Sequence, residues 1–191
     1  MVFLYVIGSY LIGNIMTAHI FISTIRKRDI RQEGSGNVGA RNAGRVFGWP
    51  FFVLTFLADA SKGAVIIWLG HSSQFDLSIQ LIALGMGIVG HMYPVSTGFR
   101  GGKGVSTFIG GMLAIHLLSA LIIIIGFTVV YAVSRHFSAS GLASFFMIPV
   151  YVWQADRSIV ASMICLCLVI LIMYAHSPIF IERKRMNENK T

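Results

Sequence analysis

Charged residues are scarce in this chain of 191 residues, at 12% of the sequence, which is about half the share usual in soluble domains. Apolar residues make up 55% of the chain, and the mean hydropathy is +0.76. So little charge excludes an ordinary soluble enzyme. The composition indicates an integral membrane protein, with room for about six to eight crossings of about 20 residues each.

The chain has only two cysteines, and they are not placed to form a disulfide that would stabilise the fold. Cys165 and Cys167 are two residues apart in one apolar run and have no histidine partner at metal-site spacing. We interpret both as packing residues and expect no metal site. The apolar runs also lack the period-two alternation of a membrane barrel, so helices are expected.

Negative charge is in short supply, and the net charge is +8. In a soluble protein this excess would suggest nucleic acid, but in a membrane protein it indicates cytoplasmic loops and an anionic substrate, so no nucleic acid partner is predicted. A basic cluster, residues 26–31, directly follows the first apolar segment. The N-terminus is therefore predicted outside and the C-terminus in the cytoplasm, with all of the 15 Lys and Arg residues except Lys62 and Arg157 on the cytoplasmic side.

The apolar runs predict a compact all-α bundle of seven transmembrane helices in one polytopic membrane domain, residues 1–191. The predicted helices cover 1–25, 50–70, 77–94, a short or tilted helix after Lys103 with a turn near His116, a helix ending at Ser134, 141–153 and 159–175. Cytoplasmic loops are predicted at about 26–49, 95–104 and 135–140, followed by a tail at 177–191.

Two glycine-rich loops interrupt this apolar chain, Gly34–Arg45 and Gly98–Val105. Backbone without Cβ atoms can wrap an anion with its own N–H groups, and nearby cations add positive charge. Neither loop is a nucleotide motif: Lys103 lacks the spacing of a P-loop, and the G-x-G-x-x-G at Gly34 has no strand before it. The loops therefore predict phosphate binding by Ser35, Asn37, Asn42, Arg45, Arg100 and Lys103 with the glycines Gly36, Gly101, Gly102 and Gly104.

Other polar residues in apolar surroundings are weaker candidates. Asp59 and Lys62 are spaced i, i+3 and can neutralise each other on one helix face. His91 stands just before the second loop. The H-x-x-x-x-D pattern of His71 and Asp76 matches that of CoA-dependent acyltransferases, but it falls in a predicted outer turn, so we interpret it as accidental.

Three sets of residues together resemble the bacterial acyl-phosphate:glycerol-3-phosphate acyltransferases, the PlsY family. They are Gly34-Ser35-Gly36-Asn37-x-Gly39-Ala40-x-Asn42 with Arg45, Asp59-x-x-Lys62-Gly63, and Gly90-His91-x-x-Pro94-Val95-x-x-x-Phe99-Arg100-Gly101-Gly102-Lys103-Gly104-Val105. The resemblance covers nearly the whole chain in length and hydropathy.

The resemblance implies a seven-helix enzyme of the bacterial cell membrane with its active site on the cytoplasmic face. It implies acyl transfer from acyl phosphate to the 1-hydroxyl of glycerol 3-phosphate in phospholipid synthesis, giving lysophosphatidic acid and phosphate, with no metal or cofactor. Membrane lipid is the expected environment and a monomer the expected state. Ser35, Arg45, Lys103 and His176 would hold the phosphates and carry catalysis, with Ser138 or Ser140 and His91 assisting.

The chain departs from the family pattern in three places. Arg41 stands where the family usually has threonine, Ile179 falls where it has a functional asparagine, and the serine segment at Ser138–Ser140 is irregular. These departures keep two alternatives open, a degenerate paralogue without activity and a transporter of phosphorylated metabolites. A transporter would place polar groups near the midplane, whereas this chain concentrates them at one face.

The charge distribution predicts opposite accessibility for two loops. In a background where Cys165 and Cys167 are replaced by alanine, a Ser73→Cys variant should react with a membrane-impermeant maleimide in intact cells. A Gly36→Cys variant should react only after permeabilisation, because its loop follows the cationic cluster. Reversed labelling would mean that the topology is inverted.

Overall fold

The structure, a computed structural model, describes residues 1–177, and this part of the chain is helical without a β-strand. Its α-helices are α1 (Val2–Gly13), α2 (Thr17–Arg26), α3 (Ala40–Phe47), α4 (Trp49–Ser72), α5 (Leu77–Met92), α6 (Val105–Ile115), α7 (Leu118–Ser134), α8 (Phe137–Ser144), α9 (Met147–Asp156) and α10 (Ile159–His176). Short 3₁₀ turns cover Ile30–Gln32 and Val95–Thr97. The all-helical prediction is confirmed for the described residues.

Four segments of the described chain are long and apolar enough to cross a membrane: Val2–Arg26, Trp49–Ser72, Leu77–Thr97 and Ile159–His176. Val105–Ile115 and Leu118–Ser134 are shorter apolar helices. The predicted turn near His116 lies between α6 and α7. The predicted helices at 50–70, 77–94 and 159–175 correspond to α4, α5 and α10.

The structure differs from the sequence-based expectation in three segments. The predicted single helix over residues 1–25 is broken at Asn14–Met16, where the Asn14 carbonyl accepts a hydrogen bond of 2.8 Å from the Ser96 hydroxyl. The predicted loop 26–49 contains helix α3. The predicted loop 135–140 is partly helical because α8 begins at Phe137, and the predicted helix 141–153 is divided between α8 and α9.

Close helix crossings hold the bundle together. Helix α4 packs against α6 and α1 packs against α5. A Cβ atom added at Gly63 would overlap the Thr107 carbonyl oxygen, and one added at Gly110 would overlap the Ala60 carbonyl oxygen. Glycine therefore lets the backbones of α4 and α6 touch, which is how apolar helices gain packing energy in lipid.

The buried apolar residues form two cores. The larger core joins α4, α5, α6, α9 and α10 through residues such as Leu84, Ile88, Phe108 and Ile172. The smaller core contains Ile22, Ile30, Val38, Ala43 and Phe51 and lies beneath the first glycine loop. The first loop thus rests on a packed apolar base, so its polar groups can have fixed positions.

The α4–α6 crossing generates a stability prediction with a matched control. Gly63→Ala should lower the thermal unfolding midpoint in detergent, because the new methyl group meets the α6 backbone and overpacking costs about 1–3 kcal/mol. Gly8→Ala makes the same chemical change in α1, where an added Cβ has no atom within 4 Å, and should leave the midpoint unchanged or slightly higher. Equal midpoints for the two variants would contradict the close crossing.

Candidate active site

A cavity of about 480 Å³ lies where the two glycine loops meet α7, α8 and the end of α10. One part of its lining is polar and contains Ser35, Asn37, Arg41, Asn42, Arg45, Asp59, His91, Lys103, Ser106, Ser138 and His176. The other part is apolar and contains Phe52, Phe56, Val105, Ile109, Ile123, Ile124, Phe127, Phe137, Leu142 and Phe145. A ligand with a charged head and a hydrocarbon chain matches this division.

The structure brings together most of the site residues predicted from the sequence. The cavity lining includes Ser35, Asn37, Asn42, Arg45, His91, Lys103, Gly104, Ser138 and His176. It does not include Gly36, Arg100, Gly101, Gly102 or Ser140. His71, in the last turn of α4, and Asp76, directly before α5, also lie outside this lining.

Asn42 organises the first loop from within. Its side-chain oxygen accepts a hydrogen bond of 3.0 Å from the Ser35 backbone N–H, and its amide nitrogen donates one of 2.9 Å to the Glu33 carbonyl oxygen. The residue is buried in α3. Asn42 therefore fixes the position of Ser35, which is a different use of the side chain from the phosphate contact expected from the sequence.

The two loops are tied to each other by direct hydrogen bonds. The Val38 backbone N–H donates to the Gly101 carbonyl oxygen at 3.4 Å. Just before the two loops, the Arg31 guanidinium donates to the Thr97 carbonyl oxygen at 3.2 Å. Arg31 also holds Asp29, at 2.7 Å between Nη2 and Oδ2, and its hydrogen bond lowers the pKa of that carboxyl. The loops therefore form one unit.

The second loop packs against the end of α5. The Gly102 N–H donates to the His91 carbonyl oxygen at 2.9 Å, and a Cβ at Gly102 would overlap the His91 imidazole. Gly102 is required for this close packing rather than for the approach of an anion, which was the reason expected from the sequence. Gly104 has φ +79°, a conformation that glycine adopts at no steric cost, and it turns the chain into α6.

Two helix N-termini open onto the cavity. Gly39 precedes α3 and Gly104 precedes α6, and neither helix has a side-chain hydrogen bond at its N-cap. The first N–H groups of a helix lack partners within the helix and carry partial positive charge. Both ends are therefore suited to bind anionic oxygens, and the cationic side chains beside them strengthen that preference.

Positive charge in the cavity has little local compensation. Asp59 is the acidic residue in the described lining, and it is already paired: Lys62 Nζ lies 2.7 Å from its Oδ1, and the Thr17 hydroxyl donates to the same atom at 2.6 Å. The predicted Asp59–Lys62 pairing is confirmed. Burial, and then the charge of Arg41, lower the pKa of Lys103. The positive charges of Arg41, Arg45 and Lys103 are therefore not balanced by a carboxylate in the described lining, which favours the binding of an anion.

The remaining candidates have separate roles. His176 donates from Nδ1 to the Ile172 carbonyl oxygen at 2.8 Å, since a carbonyl can only accept, and this leaves Nε2 for a ligand. Ser138 on α8 accepts a hydrogen bond from Arg41. Ser140 is buried and donates to the His136 carbonyl oxygen at 2.9 Å, away from the cavity. Ile179 lies outside the described residues.

Sequence reasoning missed part of the site. The sequence patterns assign no role to Arg41 and do not single out Ser106, which lies in the first turn of α6. The apolar lining was missed entirely, although Phe52 and Phe56 stand four residues apart, the spacing of one helix face. No group of three or more His, Cys, Asp or Glu side chains in residues 1–177 could hold a metal ion.

The fold and the cavity together describe a helical membrane protein whose cavity is lined partly by cationic and partly by apolar side chains. The chain belongs to the glycerol-3-phosphate acyltransferase family, whose model matches residues 3–183. The resemblance seen in the sequence is therefore confirmed.

Similar bacterial proteins agree with this assignment. The chain is 41% identical over 176 residues to glycerol-3-phosphate acyltransferase 1 of Bacillus cereus (strain ATCC 10987 / NRS 248), covering 92% of this chain and 97% of the relative. It is 37% identical to glycerol-3-phosphate acyltransferase 1 of Desulfitobacterium hafniense (strain Y51), covering 90% of this chain and 85% of the relative.

A solved structure has the same fold. The crystal structure of PlsY (YgiH), an integral membrane glycerol 3-phosphate acyltransferase, in its glycerol 3-phosphate form superposes with a TM-score of 0.81. The two sequences are 29% identical, and the match covers 97% of this chain and 90% of that one. The same relative is also known in a lysophosphatidic acid form. This match and the four long apolar helices identify a membrane protein.

The environment of Lys103 generates a pH prediction. Because burial and Arg41 lower its pKa, Lys103 should lose its proton at a lower pH than an exposed lysine, and phosphate binding should weaken on the alkaline side. Lys103→Arg keeps its charge throughout, so its KM for glycerol 3-phosphate should rise less than that of the wild type between about pH 8 and pH 10.5. Parallel profiles for the two proteins would show that Lys103 does not govern the alkaline limb.

Proposed function

We propose that this protein transfers an acyl chain from acyl phosphate to the 1-hydroxyl of glycerol 3-phosphate in phospholipid synthesis. The observation that carries the proposal is the cavity itself, in which a cationic end formed by two helix N-termini adjoins an apolar end. Both substrates carry phosphate, and the acyl phosphate also carries a long hydrocarbon chain. The relatives named above, which act on glycerol 3-phosphate, support the choice of acceptor.

The polar residues divide into ligands and supports. Ser35, Arg45, Lys103 and His176 bind the two phosphates, and Asn37 and the first amides of α3 and α6 add hydrogen bonds. Asn42, Gly102 and His91 hold the loops in position, as their hydrogen bonds and packing indicate. No metal or cofactor takes part.

Acyl phosphate is already activated, so the protein mainly needs to position the substrates and stabilise charge. The 1-hydroxyl oxygen attacks the acyl carbonyl carbon and forms the new ester C–O bond. The C–O bond to phosphate then breaks, and the hydroxyl proton passes to the departing phosphate. Lysophosphatidic acid and inorganic phosphate leave the site.

The membrane arrangement belongs to the same proposal. The chain forms one polytopic domain with seven crossings, its N-terminus outside and its C-terminus in the cytoplasm, in a bacterial cell membrane. The cavity then opens on the cytoplasmic face, where the cations of both loops are expected. The close glycine-mediated packing within one chain is compatible with a monomer.

Activity of the purified protein tests this function directly. Palmitoyl phosphate and labelled glycerol 3-phosphate should give labelled lysophosphatidic acid, whereas palmitoyl-CoA should not replace the donor. Lys103→Ala should reduce turnover at least about a hundredfold, because a charged phosphate ligand is lost from a half-buried site. The variant should remain folded, since a loop cation supports no apolar core.

The control variant is Lys27→Gln, which removes an exposed cation just after α2 that does not line the cavity. It should keep wild-type activity. Product that never exceeds an empty-membrane control would contradict the proposed function and favour a degenerate paralogue or a transporter. Wild-type turnover in Lys103→Ala would contradict the assignment of the site.

A further inference from the structure

Arg41 lines the cavity but has no assigned role in the proposed reaction. It lies in the first turn of α3, beside the helix N-terminus, and its side chain is exposed to the cavity. Its Nη1 donates a hydrogen bond to the Ser138 hydroxyl on α8, a residue 97 positions further along the chain. This contact joins the cationic loop region directly to α8.

Helix α8 belongs to the apolar part of the cavity. Phe137 and Leu142 from this helix, and Phe145 just after it, contribute apolar lining on either side of Ser138. The Arg41–Ser138 pair therefore lies at the boundary between the cationic and the apolar parts. A long-chain acyl phosphate has its own boundary between phosphate and hydrocarbon, which matches the order of the lining at this place.

The charge of Arg41 has no carboxylate partner in the part of the chain that the structure describes. The acidic residues there are engaged elsewhere: Asp29 with Arg31, Glu33 with Arg28, Asp59 with Lys62 and Asp156 with His116, while Asp76 lies in the turn before α5. Arg41 lines the same cavity as Lys103, which carries a charge of the same sign. A bound anion would relieve this mutual repulsion.

The guanidinium retains donors for such an anion. Arginine carries five N–H donors in a planar fork, and Ser138 uses one of them. Two parallel donors can hold two oxygens of one phosphate, which a lysine ammonium cannot do with the same geometry. The hydroxyl of Ser138 limits the movement of the guanidinium and keeps it at the apolar boundary.

We infer that Arg41 is a specificity-determining ligand for the phosphate of the long-chain acyl phosphate, positioned for that role by Ser138. The inference rests on the proposed function and adds to it an assignment of one substrate to one side chain. Glycerol 3-phosphate, which has no hydrocarbon chain, gains nothing from the boundary position and uses the remaining cations.

The test separates the two substrates by their KM values. Arg41→Thr removes the positive charge and the planar guanidinium, and it leaves a residue type that is common near helix N-termini. It should raise the KM for palmitoyl phosphate about tenfold or more. Its KM for glycerol 3-phosphate should stay within about twofold, because that phosphate has other ligands. Arg41→Lys should fall between the wild type and Arg41→Thr.

Ser138→Ala tests the positioning role with the charge left in place. It should raise the KM for palmitoyl phosphate by a smaller factor than Arg41→Thr and should add little in the double variant, since both changes act through one contact. Lys27→Gln, an exposed cation outside the cavity, serves as the matched charge-removal control and should leave both KM values unchanged.

Three results would overturn the inference. They are an unchanged KM for palmitoyl phosphate in Arg41→Thr, an increase confined to glycerol 3-phosphate, or a lower kcat with both KM values unchanged. If Arg41→Thr does not fold, Arg41→Lys and Ser138→Ala give the same comparison. Failure of the proposed function is distinguishable, because in that case the wild-type protein itself forms no lysophosphatidic acid.

Discussion

A single buried carboxylate governs the arrangement of this site. Asp59 lies in the apolar helix α4 and is 1% exposed, so it must be neutralised within the protein. Lys62 of the same helix, Thr17 at the start of α2 and His91 near the end of α5 approach its Oδ1 at 2.7, 2.6 and 3.7 Å. Because these groups come from three helices, one charge fixes the elements from which both glycine loops begin.

The position of His91 also affects the backbone amides that line the cavity. The His91 carbonyl oxygen accepts a hydrogen bond of 2.9 Å from the Gly102 N–H. The His91 imidazole occupies the space that a side chain at residue 102 would need. The second loop is in turn bonded to the first through Val38 and Gly101. The N-termini of α3 and α6 therefore face one cavity, and their amides are held in place before a ligand arrives, which lowers the entropic cost of binding.

The contrast between the two charged regions explains their different roles. Lys62 and Asp59 neutralise each other away from water, whereas Arg41, Arg45 and Lys103 line the cavity without a matching acid among the described residues. Internal pairing stabilises the fold, and unmatched positive charge favours the binding of an anion. The adjoining phenylalanine and isoleucine side chains add an apolar surface that suits the acyl chain of the proposed substrate.

The membrane class, the main helices and several candidate phosphate ligands can be predicted from the amino-acid sequence, because hydropathy and residue chemistry are local properties. Which of these candidates meet in the cavity depends on how the chain folds. Asn42 turned inward to hold Ser35, Gly102 packed against His91, and helix α3 formed where a loop was expected. Arg41 acquired its position from Ser138, 97 residues away. Such contacts depend on how distant segments pack, and no local pattern encodes that packing.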